Sequence, residues 1–358
     1  MKAINKIRNW LKENNFDGVI LNRRDNFSWI TGGKRNYVLM SSEFGIGFIV
    51  VKKDCIDLLA DNIDASRLHD EEIPYKVNVI SYPWYESRSR FITNYIGDKV
   101  FASDIEMPGT ICKHNELVNL RMLLTEEEVS TYRKLGTDCA DIVEEVCFDA
   151  QRQQKENDIA TRLKKLSIER GINADCILVG GDERIDQYRH PMPTNQSFSK
   201  KLMVVLGAER DGLYTSITRM VHFGPLSKEL IDKYNKVQLI FATMQMMMKH
   251  NLKYSDYFKS IQEIYADVGY DEEWKKHHQG GPTGYACREQ IINPDSLGTI
   301  KNNQAYAWNP TITGVKCEET SILHNNQPEI LTNTKRWPRT LINTGYGKCF
   351  VSDILLKS

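Results

Sequence analysis

The hydrophobic positions in the first 120 residues switch between two spacings. Ile4, Ile7, Trp10 and Leu11 recur as on one face of a helix. Short apolar runs separated by turn residues follow, and such runs are typical of strands. The pattern predicts helices over 1–14, 62–69 and 84–95 and strands over 19–21, 45–51, 56–60 and 77–80. Strands that alternate with helices predict an α/β layer.

The most informative stretch of the chain lies between Arg189 and Gly224. It contains an apolar run, Leu202 to Leu206, and a run rich in β-branched residues, Leu213 to Val221. The dipeptide Asp211-Gly212 separates the two runs, and this arrangement predicts a β-hairpin. The first run is apolar throughout, as expected of a strand buried on both faces.

The region after residue 120 begins with a helix-start signal. Thr125 is followed three residues later by Glu128, a capping box that predicts a long helix. The later pattern predicts helices over 156–170, 227–250 and 254–268 and a strand over 177–181. A chain of 358 residues is long enough for two buried cores, and we predict a junction near Leu120-Arg121, which gives domains of 1–120 and 121–358.

Composition excludes several classes of function. The 47 basic and 47 acidic residues balance, which argues against an extended nucleic-acid surface. The charged N-terminus lacks the apolar core of a signal peptide, and the apolar stretch from Val237 to Met248 is too short to span a membrane. Eight cysteines without C-x-x-C spacing are typical of reduced thiols. We therefore expect a cytoplasmic protein with no nucleic-acid or membrane partner.

The predicted hairpin resembles that of the pita-bread hydrolases, which include creatinase, prolidase, aminopeptidase P and methionine aminopeptidase. Gly207, Ala208, Gly212 and the run Ile217-Thr218-Arg219 match the motif of the family. The segment NFSWITGG at 26–33 is similar to a turn near the start of creatinase and prolidase chains. The resemblance implies an α/β (α+β) protein, in which a creatinase/prolidase-type N-terminal domain precedes a pita-bread domain.

In the metallopeptidases of this family, two aspartates, one histidine and two glutamates bind a pair of divalent ions. The resemblance places these five positions at Val205, Ser216, Gly281, Asn309 and Glu318. Only the last is a carboxylate, and a single carboxylate does not hold two cations against their hydration. We therefore expect no dinuclear metal site, no metal ligands of the family type and no cofactor.

Creatinase has the same fold without metals, and it cleaves a C–N bond with a histidine as acid and base. The resemblance assigns that histidine to His190 and the glutamate opposite it to Glu318. A histidine transfers protons near neutral pH without a metal. The alternatives are a surface-turn histidine at 190 and a carboxylate paired with Arg219 at 318. Thr218 replaces a second creatinase glutamate, which argues against creatine as the substrate.

Four further residues are candidates for substrate contact. Arg288 replaces a substrate-facing histidine and suits a substrate carboxylate, or it is a solvated arginine paired with Glu289. His277 takes the place of a metallopeptidase histidine, and Arg219 takes a retained family position. Tyr214 either lines the pocket or packs in the core.

Three functions remain open. The first is a metal-independent hydrolase that cleaves an amide or amidine C–N bond in a small molecule or short peptide. The second is a metal-dependent Xaa-Pro dipeptidase or aminopeptidase. The third is a non-catalytic pita-bread protein that binds a ligand or a partner. The resemblance also implies a homodimer in which the N-terminal domain lines the partner's active-site cleft.

Overall fold

The structure, a computed structural model, describes residues 2–358. The chain divides into two compact units, Met1–Met122 and Leu123–Ser358. The predicted junction at Leu120-Arg121 lies two residues before this division. The first position of the helix predicted over 1–14 lies outside the described residues.

The first unit is built on a six-stranded mixed sheet, in the order β4-β3-β2-β1-β5-β6. Strands β1, β2 and β3 pair antiparallel, whereas the β1–β5, β3–β4 and β5–β6 pairs are parallel. The four strands predicted here are confirmed, and β5 and β6 were not predicted. The strands are β1 (Gly18–Arg23), β2 (Phe44–Lys52), β3 (Ile56–Asp61), β4 (Asn78–Tyr82), β5 (Phe101–Ser103) and β6 (Thr110–Cys112).

Five helices accompany this sheet. The first is amphipathic and buries Ile4, Ile7, Trp10 and Leu11, as its spacing predicted. The helix predicted over 62–69 is one short turn that continues as a π-helical turn over Leu68–Glu72. The helices are α1 (Lys2–Glu13), α2 (Arg24–Thr31), α3 (Ala65–Arg67), α4 (Arg88–Ile96) and α5 (His114–Arg121).

The turn predicted over 26–33 is wrong, because most of it belongs to α2. Phe27 and Ile30 lie one helical turn apart on its buried face. Gly32 ends the helix in the left-handed conformation, with φ 73°. The family-like motif therefore marks a helix and its C-terminal cap.

A buried carboxylate ties β1 to the segment after β5. Asp104 accepts hydrogen bonds from the backbone N–H of Asn22 at 2.9 Å and of Arg23 at 2.9 Å, and from Asn26 Nδ2 at 2.9 Å. Burial raises the pKa of Asp104 to about 6, although these hydrogen bonds oppose the rise. Arg121 donates to Asp25 Oδ1 at 3.1 Å, so the same region also holds a buried ion pair.

The second unit begins with the capping box that the sequence predicted. Glu128 N donates to Thr125 Oγ1 at 3.3 Å, and Thr125 N donates to Glu128 Oε2 at 2.6 Å. All four helices predicted in this unit are present, with shorter C-terminal ends in three of them. The helices are α6 (Glu126–Asp149), α7 (Glu156–Glu169), α8 (Glu183–Gln187), α9 (Lys228–Met246) and α10 (Tyr254–Asp267), with a 3-10 turn at Glu273–Lys276.

Two four-stranded sheets form the rest of the second unit, in the orders β18-β9-β8-β7 and β10-β11-β14-β15. Two short hairpins, β12–β13 and β16–β17, accompany them. The strands are β7 (Asn173–Gly181), β8 (Lys201–Arg210), β9 (Leu213–Phe223), β10 (Gly280–Thr283), β11 (Gln304–Trp308), β12 (Thr311–Ile312), β13 (Val315–Lys316), β14 (Glu319–His324), β15 (Gln327–Ile330), β16 (Arg339–Thr344), β17 (Gly347–Ser352) and β18 (Leu355–Lys357).

The predicted hairpin is confirmed as β8 and β9. Arg210 pairs with Leu213, so the connecting turn consists of Asp211 and Gly212. Both turn residues have positive φ, 54° and 79°, as a type I′ turn requires. Strand β8 is buried from Leu202 to Ala208, which agrees with its uninterrupted apolar sequence.

The core of the second unit forms where the apolar faces of α9 and α10 pack with strand residues. Val237, Phe241 and Tyr257 are fully buried in it, together with Trp308 of β11. Within residues 2–358, no helix is both long enough and apolar enough to cross a bilayer.

Candidate active site

One row of paired residues across the β7–β8–β9 sheet leads to Glu318. Leu178 pairs with Val205, and Val205 pairs with Thr218. Thr218 forms an isolated antiparallel bridge with Glu318. Its backbone N–H donates to Glu318 O at 3.2 Å, and its hydroxyl donates to Glu318 Oε2 at 2.6 Å. The hairpin therefore holds the Glu318 carboxylate against the end of β13.

The Glu318 carboxylate is buried between two cations. Lys316 Nζ lies 2.8 Å from Glu318 Oε2, and Arg288 NH2 lies 3.3 Å from Oε1. Burial would raise the pKa of this carboxyl, but the charges of Lys316 and Arg288 outweigh it and lower the pKa to about 2. Glu318 is therefore ionised at neutral pH, and both of its oxygens are already bonded.

Three histidines meet in the same region. The Nε2 atoms of His190 and His277 are 3.1 Å apart, and the rings of His277 and His278 stack with centroids 4.5 Å apart. Burial, followed by the charge of Lys316, lowers the pKa of His277 to about 2. Burial and then Arg288 lower that of His278 to about 4, and burial and then Lys316 also lower the pKa of His190. All three rings are therefore neutral at pH 7.

Several buried polar atoms near these groups lack a hydrogen-bond partner among residues 2–358. They include Asn309 Oδ1, Arg288 Nε and the Nδ1 atoms of His277 and His278. Such atoms in protein interiors are normally satisfied by a side chain, an ordered water or a ligand. Their concentration on the predicted site positions indicates a polar surface that is suited to a bound molecule.

The structure brings four predicted residues together in two groups. His190 and His277 contact each other directly, and Arg288 contacts Glu318. The side chain of Arg288 also donates to Ser216 Oγ at 3.1 Å. Of the groups proposed as partners of Arg288, the guanidinium contacts Glu318, whereas Glu289 Oε1 accepts the N–H groups of the turn at Tyr285 and Ala286.

Arg219 does not belong to this group, which corrects its assignment to substrate contact. Its side chain is 1% exposed, and NH1 donates to Glu319 Oε1 at 2.8 Å. A second ion pair joins NH2 to Glu144 at 3.3 Å. The alternative that paired Arg219 with Glu318 is also wrong, because the arginine pairs with the neighbouring glutamate. Arg219 is a core residue whose donors are engaged.

Tyr214 lies near the start of β9, where its hydroxyl donates to Asp175 Oδ2 at 2.9 Å. Its backbone N–H donates to Gly284 O at 2.8 Å. These contacts fix the tyrosine beside the glycine-rich segment after β10. Its role in substrate binding stays a prediction.

Lys316 is the functional candidate that sequence reasoning missed. It is buried and bonds the one carboxylate among the five family ligand positions. A signal was present, because residues two apart on an extended segment point to the same side, and Lys316 precedes Glu318 by two. His278 is a second residue that the sequence analysis did not propose, and the structure adds it to the histidine group.

Gly281, which the resemblance aligns with a histidine ligand of the metallopeptidases, has no room for a side chain. A Cβ built on it would lie 2.2 Å from Gln290 O. Backbone at this distance cannot move aside as a flexible side chain can. A residue larger than glycine is therefore not accommodated at 281 without rearrangement of the segment.

Comparison with known proteins agrees with the predicted family. Residues 131–328 match the profile of "Metallopeptidase family M24", and residues 4–107 match that of "Creatinase/Prolidase N-terminal domain". An uncharacterized peptidase of Staphylococcus epidermidis is 22% identical over 232 residues, which cover 61% of this chain and 64% of the relative. The matched part thus spans less than two thirds of that relative's length.

Solved structures share the fold at low sequence identity. The prolidase from Pyrococcus horikoshii superposes with a TM-score of 0.79 at 16% identity, over 94% of this chain and 99% of that one. The N-terminal domain of a FACT complex subunit from chickpea superposes with a TM-score of 0.69 at 12% identity, over 93% and 95%. The predicted architecture, a creatinase/prolidase-type domain followed by a pita-bread domain, is confirmed. The chain belongs to metallopeptidase family M24.

Proposed function

We propose that this M24-family protein is a hydrolase that cleaves a C–N bond in a small anionic molecule or short peptide without the dinuclear metal centre of the family. One observation carries the proposal. Glu318, the only carboxylate among the five positions matched to metal ligands, is ion-paired with Lys316 and Arg288. In this proposal, two side-chain cations balance the negative charge of the carboxylate, as metal ions would in the metallopeptidases.

The residues present do not fit a dinuclear centre. A metal at Glu318 would have to displace Lys316 or Arg288 from oxygens they already bond. Val205 is apolar, and Gly281 has no space for an imidazole. Two close divalent ions need several carboxylates to offset their charge. The proposed reaction therefore has no step that involves such a centre.

The charge of the site favours an anionic substrate. Two cations against one carboxylate leave one excess positive charge among groups that are largely shielded from solvent. A buried charge without a partner is costly, and a substrate carboxylate would offset it. Arg288 Nε has no partner among the described residues and is the donor we assign to that carboxylate.

Asn309 supplies a second contact to the substrate, in which the protein accepts a hydrogen bond instead of donating one. Its buried Oδ1 has no donor among residues 2–358 and accepts an N–H of the substrate in this proposal. A molecule with a carboxylate and an amide or amine N–H satisfies both orphaned groups. N-acyl amino acids, Xaa-Pro dipeptides and carboxylated amidines share this chemistry.

His190 is the acid and base in this proposal. It is exposed, unlike its neighbour His277, which is 8% exposed. The contact between their Nε2 atoms fixes the orientation of the His190 ring. A neutral imidazole at pH 7 takes a proton from the attacking water and returns it to the departing nitrogen. Glu318 holds Arg288 and Lys316 in place for the substrate anion.

Turnover of a substrate panel tests the proposal. The panel contains N-acyl amino acids, Xaa-Pro dipeptides and carboxylated amidines, each with an uncharged ester or amide counterpart. We expect turnover of at least one acid, weaker turnover of its uncharged counterpart, and no loss after chelator treatment. His190→Ala should lose about 10²- to 10⁴-fold in kcat.

Two results would decide for the other functions. Turnover abolished by chelator and restored by manganese or cobalt would favour the metal-dependent Xaa-Pro peptidase. Binding of panel members without any turnover would favour the non-catalytic protein. The predicted homodimer is not involved in this test and stays a prediction.

A further inference from the structure

The three-histidine group is separate from the five positions that match the metal ligands of the family. We infer that His190, His277 and His278 form a mononuclear binding site for a transition-metal ion of the zinc class. The site lies beside the Glu318 carboxylate, and the three ligands that the chain supplies are imidazole nitrogens.

The spacing of the nitrogens carries the inference. One ligand nitrogen from each histidine can be chosen so that all three lie within 4.8 Å of one another. The Nε2 atoms of His190 and His277 are 3.1 Å apart. Two nitrogens bound at about 2.05 Å to one tetrahedral zinc ion are about 3.3 Å apart. The Nε2 atoms of His190 and His277 therefore already have about this spacing.

Unpartnered nitrogens are an independent observation at the same place. His277 is 8% exposed, and neither its Nδ1 nor that of His278 has a hydrogen-bond partner among residues 2–358. The rings of His277 and His278 are neutral and stacked, and their Nδ1 atoms form no hydrogen bond that would stabilise the fold. An ion held by Nε2 of His190 and Nε2 of His277 would give Nδ1 of His278 a partner that no described side chain supplies.

The surrounding charges select the class of ion. Lys316 and Arg288 oppose any cation, and the carboxylate of Glu318 is already bonded by both. Hard ions such as Mg²⁺ and Ca²⁺ need oxygen ligands and are disfavoured. Zinc, cobalt, nickel and copper bind neutral imidazole directly, so they are the ions expected here. The same cations favour an anion as the fourth ligand.

Metal binding has a consequence for the proposed reaction. An ion on the His190 imidazole occupies a nitrogen needed for proton transfer, so zinc should inhibit turnover reversibly. This consequence rests on the proposed function, whereas the existence of the binding site does not.

Direct binding to the metal-free full chain tests the site. Isothermal titration with Zn²⁺ and Mg²⁺ should show one zinc per chain and no magnesium. His278→Ala and His190→Ala should each weaken zinc binding at least tenfold, with circular dichroism to verify folding. His250→Ala removes an exposed histidine elsewhere in the unit and should bind like the wild type. Cobalt should give the visible absorption bands of a tetrahedral ion in the wild type and in His250→Ala, but not in His190→Ala or His278→Ala.

Each outcome of these binding experiments either supports or overturns the histidine site. Zinc binding that is lost in His278→Ala supports the site even if no substrate is found. No stoichiometric binding, or binding equal in wild type and His278→Ala, overturns it. A chain that turns over substrate but binds no zinc also overturns the site while it leaves the proposed function intact.

Discussion

Lys316 Nζ lies 2.8 Å from Glu318 Oε2, and both side chains are about 95% buried or more. The pair stands where the resemblance to the metallopeptidases places a metal-bound glutamate. Arg288 completes the group on the other oxygen. In our proposal, the side chains of Lys316 and Arg288 balance the charge of this buried glutamate in place of metal ions.

Loss of Lys316 should destabilise the second unit. Lys316→Met leaves the buried Glu318 paired with Arg288 alone, so it removes a charge-assisted hydrogen bond together with the excess positive charge. We expect the lost bond to outweigh the relieved charge and the free energy of unfolding to fall by about 1–2 kcal/mol. Urea denaturation measures it. The exposed Lys348→Met is the control and should change stability by less than about 0.5 kcal/mol. In the Lys316→Met background, Glu318→Gln should cost much less than in the wild type. Equal costs in the two backgrounds would contradict the pairing.

Arg219 should be a stability residue. Arg219→Met leaves Glu144 and Glu319 buried without their cation, and we expect a loss of about 3–5 kcal/mol. The exposed pair Arg133–Glu329 provides the control, since Arg133→Met should cost less than about 1 kcal/mol. A strongly impaired KM with unchanged stability in Arg219→Met would restore its assignment to substrate contact.

Gly281 should not tolerate a side chain. Gly281→Ala brings a Cβ to 2.2 Å from Gln290 O, and we expect destabilisation of about 1–3 kcal/mol from overpacking. Gly345→Ala is matched to it, because its Cβ would meet nothing within 4 Å and its φ is not positive. Thermal unfolding of both variants checks this prediction. Equal stability of Gly281→Ala and Gly345→Ala would show that position 281 has space for a side chain, and so for a metal-binding residue.

Stability should depend on pH through Asp104. Its pKa is raised to about 6 in the folded chain, above the ordinary value of 3.8, so the folded state holds the proton more tightly. Stability contributed by protonated Asp104 is present near pH 4 and is lost as pH rises through 6. The loss is of the order of 3 kcal/mol. Asp104→Asn should remove this slope, measured by denaturation between pH 4 and 7. An unchanged slope in the variant would contradict the burial argument.

Local patterns predicted most of the fold. The β8–β9 hairpin and the capping box of α6 depend on neighbours within a few residues, so the sequence shows them directly. Strands β5 and β6 are three residues long and were missed because their pairing depends on partners far along the chain. The prediction of a turn where α2 lies followed the family motif at 26–33. The spacing of Phe27 and Ile30, three residues apart, would have indicated a helix.

To predict the contacts of the site, one needs the direction of each side chain along its strand as well as the sequence motif. Thr218 and Arg219 are adjacent and point to opposite sides of β9, so Thr218 bonds Glu318 while Arg219 bonds Glu319. The motif alone could not tell which glutamate the arginine meets. The contact between His190 and His277 joins residues 87 apart in sequence, and no local pattern predicts it.

The most direct test of the account is the metal content per chain of wild type and His278→Ala after soaking in manganese and zinc. We expect no manganese in either protein, one zinc per chain in the wild type, and no zinc in His278→Ala. Two manganese ions per chain, retained in His278→Ala, would contradict the account and restore the dinuclear centre of the family.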